Sequence, residues 1–116
     1  MRETEICNAK ITGTMLGKED HGILTFYIYL EFQGSGCGFG GYSLQDWDKQ
    51  KDKAVYSGKG LEAIVNVMET VGVDKWEDLK GKFIRIEHTG WGGTVTKIGN
   101  LMENKWFSLK EFFQRK

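Results

Sequence analysis

The chain of 116 residues contains no proline, so no X-Pro bond can slow its folding by isomerisation. It has only two cysteines, Cys7 and Cys37, and they form no C-x-x-C pair. In the cytoplasmic setting that we expect, both thiols are predicted to be reduced and structural. The two histidines, His21 and His88, belong to no H-x-x-x-H motif or Cys/His cluster, which argues against a structural zinc site.

The chain also lacks net charge and long apolar runs. Sixteen basic residues balance sixteen acidic ones. Nonspecific duplex binding usually needs a basic surplus, so that mode is not expected of the whole chain, although a local basic patch stays open. The longest apolar stretch, "ILTFYIYLEF", is far shorter than the roughly 20 residues of a membrane helix. The start "MRETEICNAK" has no apolar segment typical of a signal peptide, so we expect a soluble cytoplasmic protein with no membrane partner.

Apolar residues make up 40% of the chain and aromatic residues 13%, which predicts one folded domain over residues 1–116. Periodicity and turn residues predict five strands, at 4–16 with a bend at Gly13, 24–33, 34–44, 82–88 and 94–101. Helices are predicted at 60–71 and after Ser108, a short helical turn at 74–81, and turns or loops at 17–22, 45–58 and 89–94.

The resulting order, β-β-β-α-β-β-α, indicates an α+β domain with a five-stranded, mainly antiparallel sheet, one amphipathic helix and a C-terminal helix. It is also the order of an OB-fold, whose helix lies between the third and fourth strands. A curved open sheet covered by a helix would give the same order, so both architectures stay open.

The first helix carries apolar residues at helical spacing, and these are predicted to face the core: Leu61, Ile64, Val65, Met68 and Val71. Gly72 is predicted to end this helix, because glycine tolerates left-handed dihedral angles. Asp74 is predicted to cap the following turn, which Gly81 ends. Ser108 and Glu111 form an S-x-x-E capping box for the terminal helix.

The strand at 24–33 alternates between an apolar face and a face that carries Tyr27 and Tyr29. Two tyrosines at this spacing are typical of a stacking platform for nucleic-acid bases. Packing of both rings beneath the terminal helix is the alternative interpretation.

Half of the residues in "QGSGCGFGGY" (33–42) are glycine. The stretch matches G-x-G-x-x-G, but no helix follows to hold a pyrophosphate, which argues against dinucleotide binding. In a strand, Gly34, Gly36, Gly38 and Gly40 would all point to one face and leave it without side chains. Either a close-packed helix or aromatic side chain covers that face, or a partner or ligand lies on it.

The remaining motifs point to no catalytic residue, cofactor or metal. Asp46 and Asp48 alternate with lysines and are interpreted as solvated charge. His21 lies in a polar turn and is either a general base or an ordinary surface residue. Trp91, flanked by glycines, either anchors a partner or folds back over the sheet, whereas Trp76 and Trp106 are predicted to cap the core. The binding-surface candidates are Trp91, Tyr27, Tyr29, Gly36, Gly38, Gly40, Tyr42 and His21.

Three blocks of the sequence, "EDHGILTFYIYLEFQGSGCGFGGYSL", "TVGVDKWEDLKGKFIRIE" and "IGNLMENKWFSLKEFF", resemble a group of small phage and prophage proteins. The resemblance covers most of the chain from Leu16 onward and is carried by the GFGGY and WEDLKGK motifs. It implies expression in the cytoplasm of an infected or lysogenic bacterium, and it identifies no site residues.

Three functions follow as hypotheses. The first is a non-enzymatic phage accessory protein that binds a host or phage protein, as anti-CRISPR and other host-defence inhibitors do. The second is an OB-like protein that binds single-stranded nucleic acid through Tyr27, Tyr29 and the glycine strand. The third is a protein that binds or sequesters a nucleotide. A monomer and a homodimer paired through the glycine strand are both compatible with the sequence.

Overall fold

The computed structural model describes residues 5–19, 22–56, 58–89 and 95–114. In these ranges the chain forms eight strands, two α-helices and a 3-10 turn at Trp76–Asp78. The strands are β1 (Glu5–Glu19), β2 (Ile23–Phe32), β3 (Ser35–Gly40), β4 (Gln45–Asp48), β5 (Lys53–Tyr56), β6 (Phe83–His88), β7 (Val95–Gly99) and β8 (Trp106–Phe107). The helices are α1 (Gly58–Val71) and α2 (Leu109–Gln114).

The α+β class and the antiparallel pairing are confirmed, but the prediction of a single five-stranded sheet is wrong. The main sheet has six strands in the order β3-β2-β1-β6-β7-β8, and β4 and β5 form a separate hairpin. The segment 45–58, predicted as a loop, contains that hairpin. Its strands carry charged residues on one side, so the alternation that marks a half-buried strand is weak. The Asp48 carboxylate orders the turn by accepting hydrogen bonds from the backbone N–H groups of Gln50 and Lys51.

Strand β1 organises the sheet because it pairs with β6 along its first part and with β2 along its second part. The register shifts between Ile11 and Gly13, which agrees with the predicted bend. The strand continues to Glu19, so the predicted turn at 17–22 is shorter than expected. The sheet curls until β3 lies beside β7, and the ring of Phe39 meets the ring of Phe107 edge-on at 6.4 Å.

The core fills the concave side of this curled sheet. The alternation predicted for β2 and β6 is confirmed, because Phe26, Ile28, Ile84 and Ile86 are all buried. The 3-10 turn closes part of the core, with Trp76 edge-on to Phe26 at 5.6 Å, as predicted for this tryptophan. Neither helix in the described ranges has the length and the apolar composition that a membrane-spanning helix requires.

The predicted core face of α1 is wrong at two positions. Leu61 is 65% exposed and Val65 is 42% exposed. The buried residues of the helix are instead Gly60, Ala63, Val67 and Thr70. A Cβ atom on Gly60 would lie 2.7 Å from the carbonyl oxygen of Leu44. The small residues therefore let α1 approach the backbone closely, and this proximity, rather than side-chain hydrophobicity, decides which face is buried.

We expect Gly60→Ala to lower the free energy of unfolding by about 1–2 kcal/mol, because α1 must move away from the Leu44 backbone. Alanine favours a helix over glycine by about 1 kcal/mol and offsets part of that cost. Gly58→Ala is the matched control, since nothing lies within 4 Å of its Cβ position. Urea unfolding followed by tryptophan fluorescence measures both variants. Equal stability of the two would contradict the close approach.

The helix boundaries are largely as predicted. Gly72 has a φ of 96° and its N–H donates to the Met68 carbonyl oxygen at 2.8 Å, which ends α1. The Ser108 hydroxyl oxygen accepts a hydrogen bond from the Glu111 N–H at 3.3 Å, so this part of the predicted capping box forms. The cap predicted at Asp74 is wrong, because the 3-10 turn follows Lys75 and has no side-chain cap.

Candidate binding surface

The face of the main sheet that points away from the core carries most of the predicted binding residues. On β2, Tyr27 lies opposite Gly40 of β3, and Tyr29 lies opposite Gly38. On the other side of β2, Tyr29 lies opposite Gly13 of β1. Directly opposed residues lie on the same side of an antiparallel sheet. The residues that flank the two tyrosines on this outer face are therefore glycines, which have no side chains.

The two tyrosine rings form a stacked pair. Their planes differ by 8° and their centroids lie 6.1 Å apart. Tyr29 is 43% exposed, and Tyr27 is half-buried. Helix α2 stacks on Tyr42 through Phe113, whereas the ring partner of each tyrosine of the pair, among the described residues, is the other tyrosine. The rings therefore present an aromatic surface to solvent, which is what a base-stacking platform requires.

The glycines of β3 have three different environments. A Cβ atom added at Gly36 would have no side-chain atom within 4 Å. A Cβ atom added at Gly38 would lie 3.9 Å from Cδ1 of Tyr27. Gly40 has a φ of 131°, and a Cβ atom there would overlap the Phe26 carbonyl oxygen. Gly34 lies in the β2–β3 turn with a φ of 76°, so its predicted place on the strand face is wrong.

An aromatic side chain covers one end of the bare strand face, which was one of the two occupants expected from the sequence. The ring of Tyr27 leans across β3, and its hydroxyl lies 2.6 Å from the Cβ position of Gly41. A side chain at Gly41 would displace the ring. The other end, around Gly36, is open among the described residues.

The outer face continues from β2 across β1 to β6. Lys10 of β1 lies opposite Glu31 of β2 on one side and opposite Phe83 of β6 on the other. The Lys10 ammonium lies 5.9 Å from the centroid of the Phe83 ring. Phe83 is 56% exposed. A second exposed ring, with a cation over it, therefore shares the face of the tyrosine pair.

A fourth ring, that of Trp106, lies at the far end of this face. Arg85 of β6 opposes Gly99 of β7, which in turn opposes Trp106 of β8. The Trp106 ring lies over Gly99, where a Cβ atom would approach it to 2.6 Å, and the Arg85 guanidinium is 4.8 Å from the ring. The guanidinium also donates to the carbonyl oxygens of Asn100 and Glu103. The prediction that Trp106 caps the core is wrong, because its partners lie on the outer face.

We call this set the aromatic band; its members are Tyr27, Tyr29, Phe83 and Trp106, with the cations Lys10 and Arg85. Four members of the band were not among the sequence candidates. The alternation in β6 does place Phe83 and Arg85 opposite the buried isoleucines. It does not show that β6 neighbours β1, and that pairing is what joins these residues to the tyrosines.

The other candidates do not belong to the band. Tyr42 stacks on Phe113 with centroids 5.5 Å apart, and its carbonyl oxygen accepts a hydrogen bond from the Thr25 hydroxyl at 2.6 Å. It lines a groove of about 470 Å³ between β3, β7 and α2. His21 and Trp91 lie outside the described residues, so their roles stay predictions.

The reactive side chains elsewhere in the described ranges include two thiols and a buried histidine. Cys7 and Cys37 are free thiols, and burial followed by the charge of the Cys7 thiolate raises the pKa of Cys37. A raised pKa keeps the thiol protonated at neutral pH and lowers its reactivity. His88 is buried against the ring of Phe32, with Nε2 3.8 Å from a Glu5 carboxylate oxygen. Within the described ranges, no three acidic, histidine or cysteine residues are placed to hold a metal ion.

Comparisons with protein-family models, with curated proteins and with solved structures find no match to this chain.

Proposed function

We propose that this protein binds single-stranded nucleic acid on the outer face of an OB-type sheet. The observation that carries the proposal is the exposed, nearly parallel Tyr27–Tyr29 pair between strands that bear glycines on the same face. Nucleic-acid bases stack on such rings whatever their sequence, because every base has a π-face. The flanking glycines leave room for a flat ligand to reach the rings.

The topology supports the OB assignment. The order β3-β2-β1-β6-β7 is that of the five OB strands, with α1 lying in sequence between the third and fourth of them. The long β1 pairs on both sides, and β3 curls round to lie beside β7. The β4–β5 hairpin and β8 are additions to that pattern. OB-folds bind oligonucleotides on the face formed by their second and third strands, which here carries the tyrosines and the glycines.

The charge of the surface limits the electrostatic share of binding. Lys10 and Arg85 are the cations of the band, and Glu31 lies on the same face. For single strands, the logarithm of affinity falls with the logarithm of salt concentration by about 0.7 for each phosphate contacted. Two phosphate contacts therefore give a slope of roughly −1.4.

Fluorescence anisotropy tests the proposal with labelled oligothymidine of about 12 nucleotides, which is within the site size of one OB-fold. We expect micromolar binding at low salt, a slope near −1.4, and weaker binding of a duplex of the same length, whose bases are not free to stack. Absence of binding at low salt, or a duplex bound as tightly as the single strand, would overturn the proposal.

A second proposal, the binding of a host or phage protein, is supported by a different surface. Trp47 and Tyr56 lie on one face of the β4–β5 hairpin, and each is more than half exposed. Large aromatic residues are enriched among the side chains that dominate binding energy at protein interfaces. This surface would serve the phage accessory role that the sequence resemblance implies.

A further inference from the structure

We infer that Phe83 and Lys10 form a second base-and-phosphate subsite on the same track as the tyrosine pair. The inference rests on the proposed function and extends it to residues that the sequence did not indicate. A base would stack on the Phe83 ring, and the adjoining phosphate would contact the Lys10 ammonium.

The sheet register places the subsite beside the tyrosines. Along β2, Tyr29 and Glu31 point to the same side, and Glu31 leads across β1 through Lys10 to Phe83. Strands are about 4.8 Å apart, and alternate residues about 6.8 Å apart. From Tyr29 to Phe83 the displacement is two strand spacings across the sheet and two residues along a strand. The backbones of the two residues are therefore roughly 12 Å apart. A short extended oligonucleotide can therefore contact both rings without bending around the sheet.

The alternation of β6 leaves the large apolar ring of Phe83 on the water-facing side of the sheet. Its neighbours on β6, Ile84 and Ile86, are fully buried, whereas more than half of the Phe83 side chain is in solvent. Among the described residues, its ring contact is the Lys10 ammonium. Stacking by a ligand would remove this apolar surface from water, which is favourable in proportion to the area covered.

Lys10 supplies the charge complementarity that a phosphate needs. Its ammonium lies over the Phe83 ring, 5.9 Å from the centroid, and no carboxylate in the described part of the chain is within 4 Å of it. Glu31 is its cross-strand neighbour, and the two side chains do not form an ion pair. A phosphate at Lys10 therefore replaces water and not an internal salt bridge.

Anisotropy with the same oligothymidine tests the subsite. Phe83→Ala should weaken binding about five- to tenfold, at the lower end of the effect of removing one stacking ring. Phe83→Trp should bind at least as tightly as the wild type, because the larger ring still stacks. Lys10→Gln should weaken binding and reduce the steepness of the salt dependence by about 0.7, whereas Phe83→Ala should leave it unchanged.

Leu61→Ala is the matched control, since Leu61 is also an exposed apolar side chain but lies on α1. Wild-type affinity in Phe83→Ala, or an unchanged salt slope in Lys10→Gln, would overturn the subsite while leaving the tyrosine platform standing. A wild type that fails to bind would overturn the proposed function and the subsite together. Urea midpoints confirm that each variant is folded, and the Phe83→Trp and Lys10→Gln variants test the subsite even if Phe83→Ala is destabilised.

Discussion

Replacing Gly40 by alanine is expected to lower the free energy of unfolding by about 3 kcal/mol or more. Gly40 has a φ of 131°, a backbone conformation that residues with a side chain rarely adopt and that costs them about 1–3 kcal/mol. The added Cβ would also overlap the Phe26 carbonyl oxygen and lie 3.1 Å from the Tyr27 Cα atom. Both are backbone atoms of β2, so relief of the overlap requires β3 to move away from β2.

Gly38→Ala provides the matched control for this prediction. Gly38 lies on the same strand and the same face, two residues away, and its Cβ position is in ordinary contact with the Ile28 carbonyl oxygen at 3.8 Å. Its stability should change by no more than about 0.5 kcal/mol, because an alanine that fits also loses less conformational entropy on folding. Urea unfolding of the two variants should therefore give clearly separated midpoints. Similar midpoints would show that the backbone at Gly40 is not constrained.

The position of Gly40 explains why stability and the candidate surface are linked. Beyond it, the N–H of Gly41 donates to the Phe26 carbonyl oxygen at 2.8 Å, which holds the end of β3 against β2. The Tyr27 hydroxyl oxygen packs against Gly41, 2.6 Å from where a Cβ atom on that glycine would lie. A shift of β3 would thus disturb the ring that forms half of the tyrosine pair, and Gly40→Ala should weaken oligonucleotide binding as well as folding.

Removal of the exposed ring at Tyr29 is expected to have the largest effect on binding. Tyr29→Ala should weaken the affinity for oligothymidine about 10- to 100-fold, since stacking of one base on an aromatic side chain contributes about 1–3 kcal/mol. Tyr29→Phe should bind nearly as well as the wild type, because stacking uses the face of the ring and not the hydroxyl. Anisotropy titrations at one low salt concentration measure all three proteins.

Tyr56→Ala serves as the control for Tyr29→Ala. Tyr56 is more exposed than Tyr29 but lies on the β4–β5 hairpin, which is separate from the main sheet that carries the aromatic band. Its removal should leave oligonucleotide affinity unchanged. If Tyr56→Ala weakened binding and Tyr29→Ala did not, the nucleic-acid site would lie on the hairpin, and the platform assigned to the main sheet would be wrong.

Sequence patterns correctly predicted the features that depend only on residues close together in the chain. The two-residue alternation of β2 placed Phe26 and Ile28 in the core and Tyr27 and Tyr29 on the opposite face. Gly72 was identified as a helix end because only its own dihedral angles were at issue. These features need no knowledge of what lies across the sheet.

Patterns failed where a contact distant in the sequence decides the outcome. The buried face of α1 depends on the approach of Gly60 to Leu44, which a hydrophobicity pattern cannot register. Trp106 lies on the outer face because Gly99 leaves space for its ring and Arg85 provides a cation beside it. The β4–β5 hairpin was missed because little of its surface faces the core.

The candidate surface also depends partly on local sequence and partly on contacts between residues that are distant in the sequence. The amino-acid order alone assigns Tyr29 and Phe83 to the water-facing sides of their own strands, because side chains alternate along every strand. It does not place the two on one surface. That arrangement arises when β1 pairs with β2 on one edge and β6 on the other, bringing Lys10 between them. Backbone hydrogen bonds between strands are the same for every residue type, so they do not select which strands pair. The pairing and register of the strands are set by the packing of the whole core, and neither can be inferred from one strand alone.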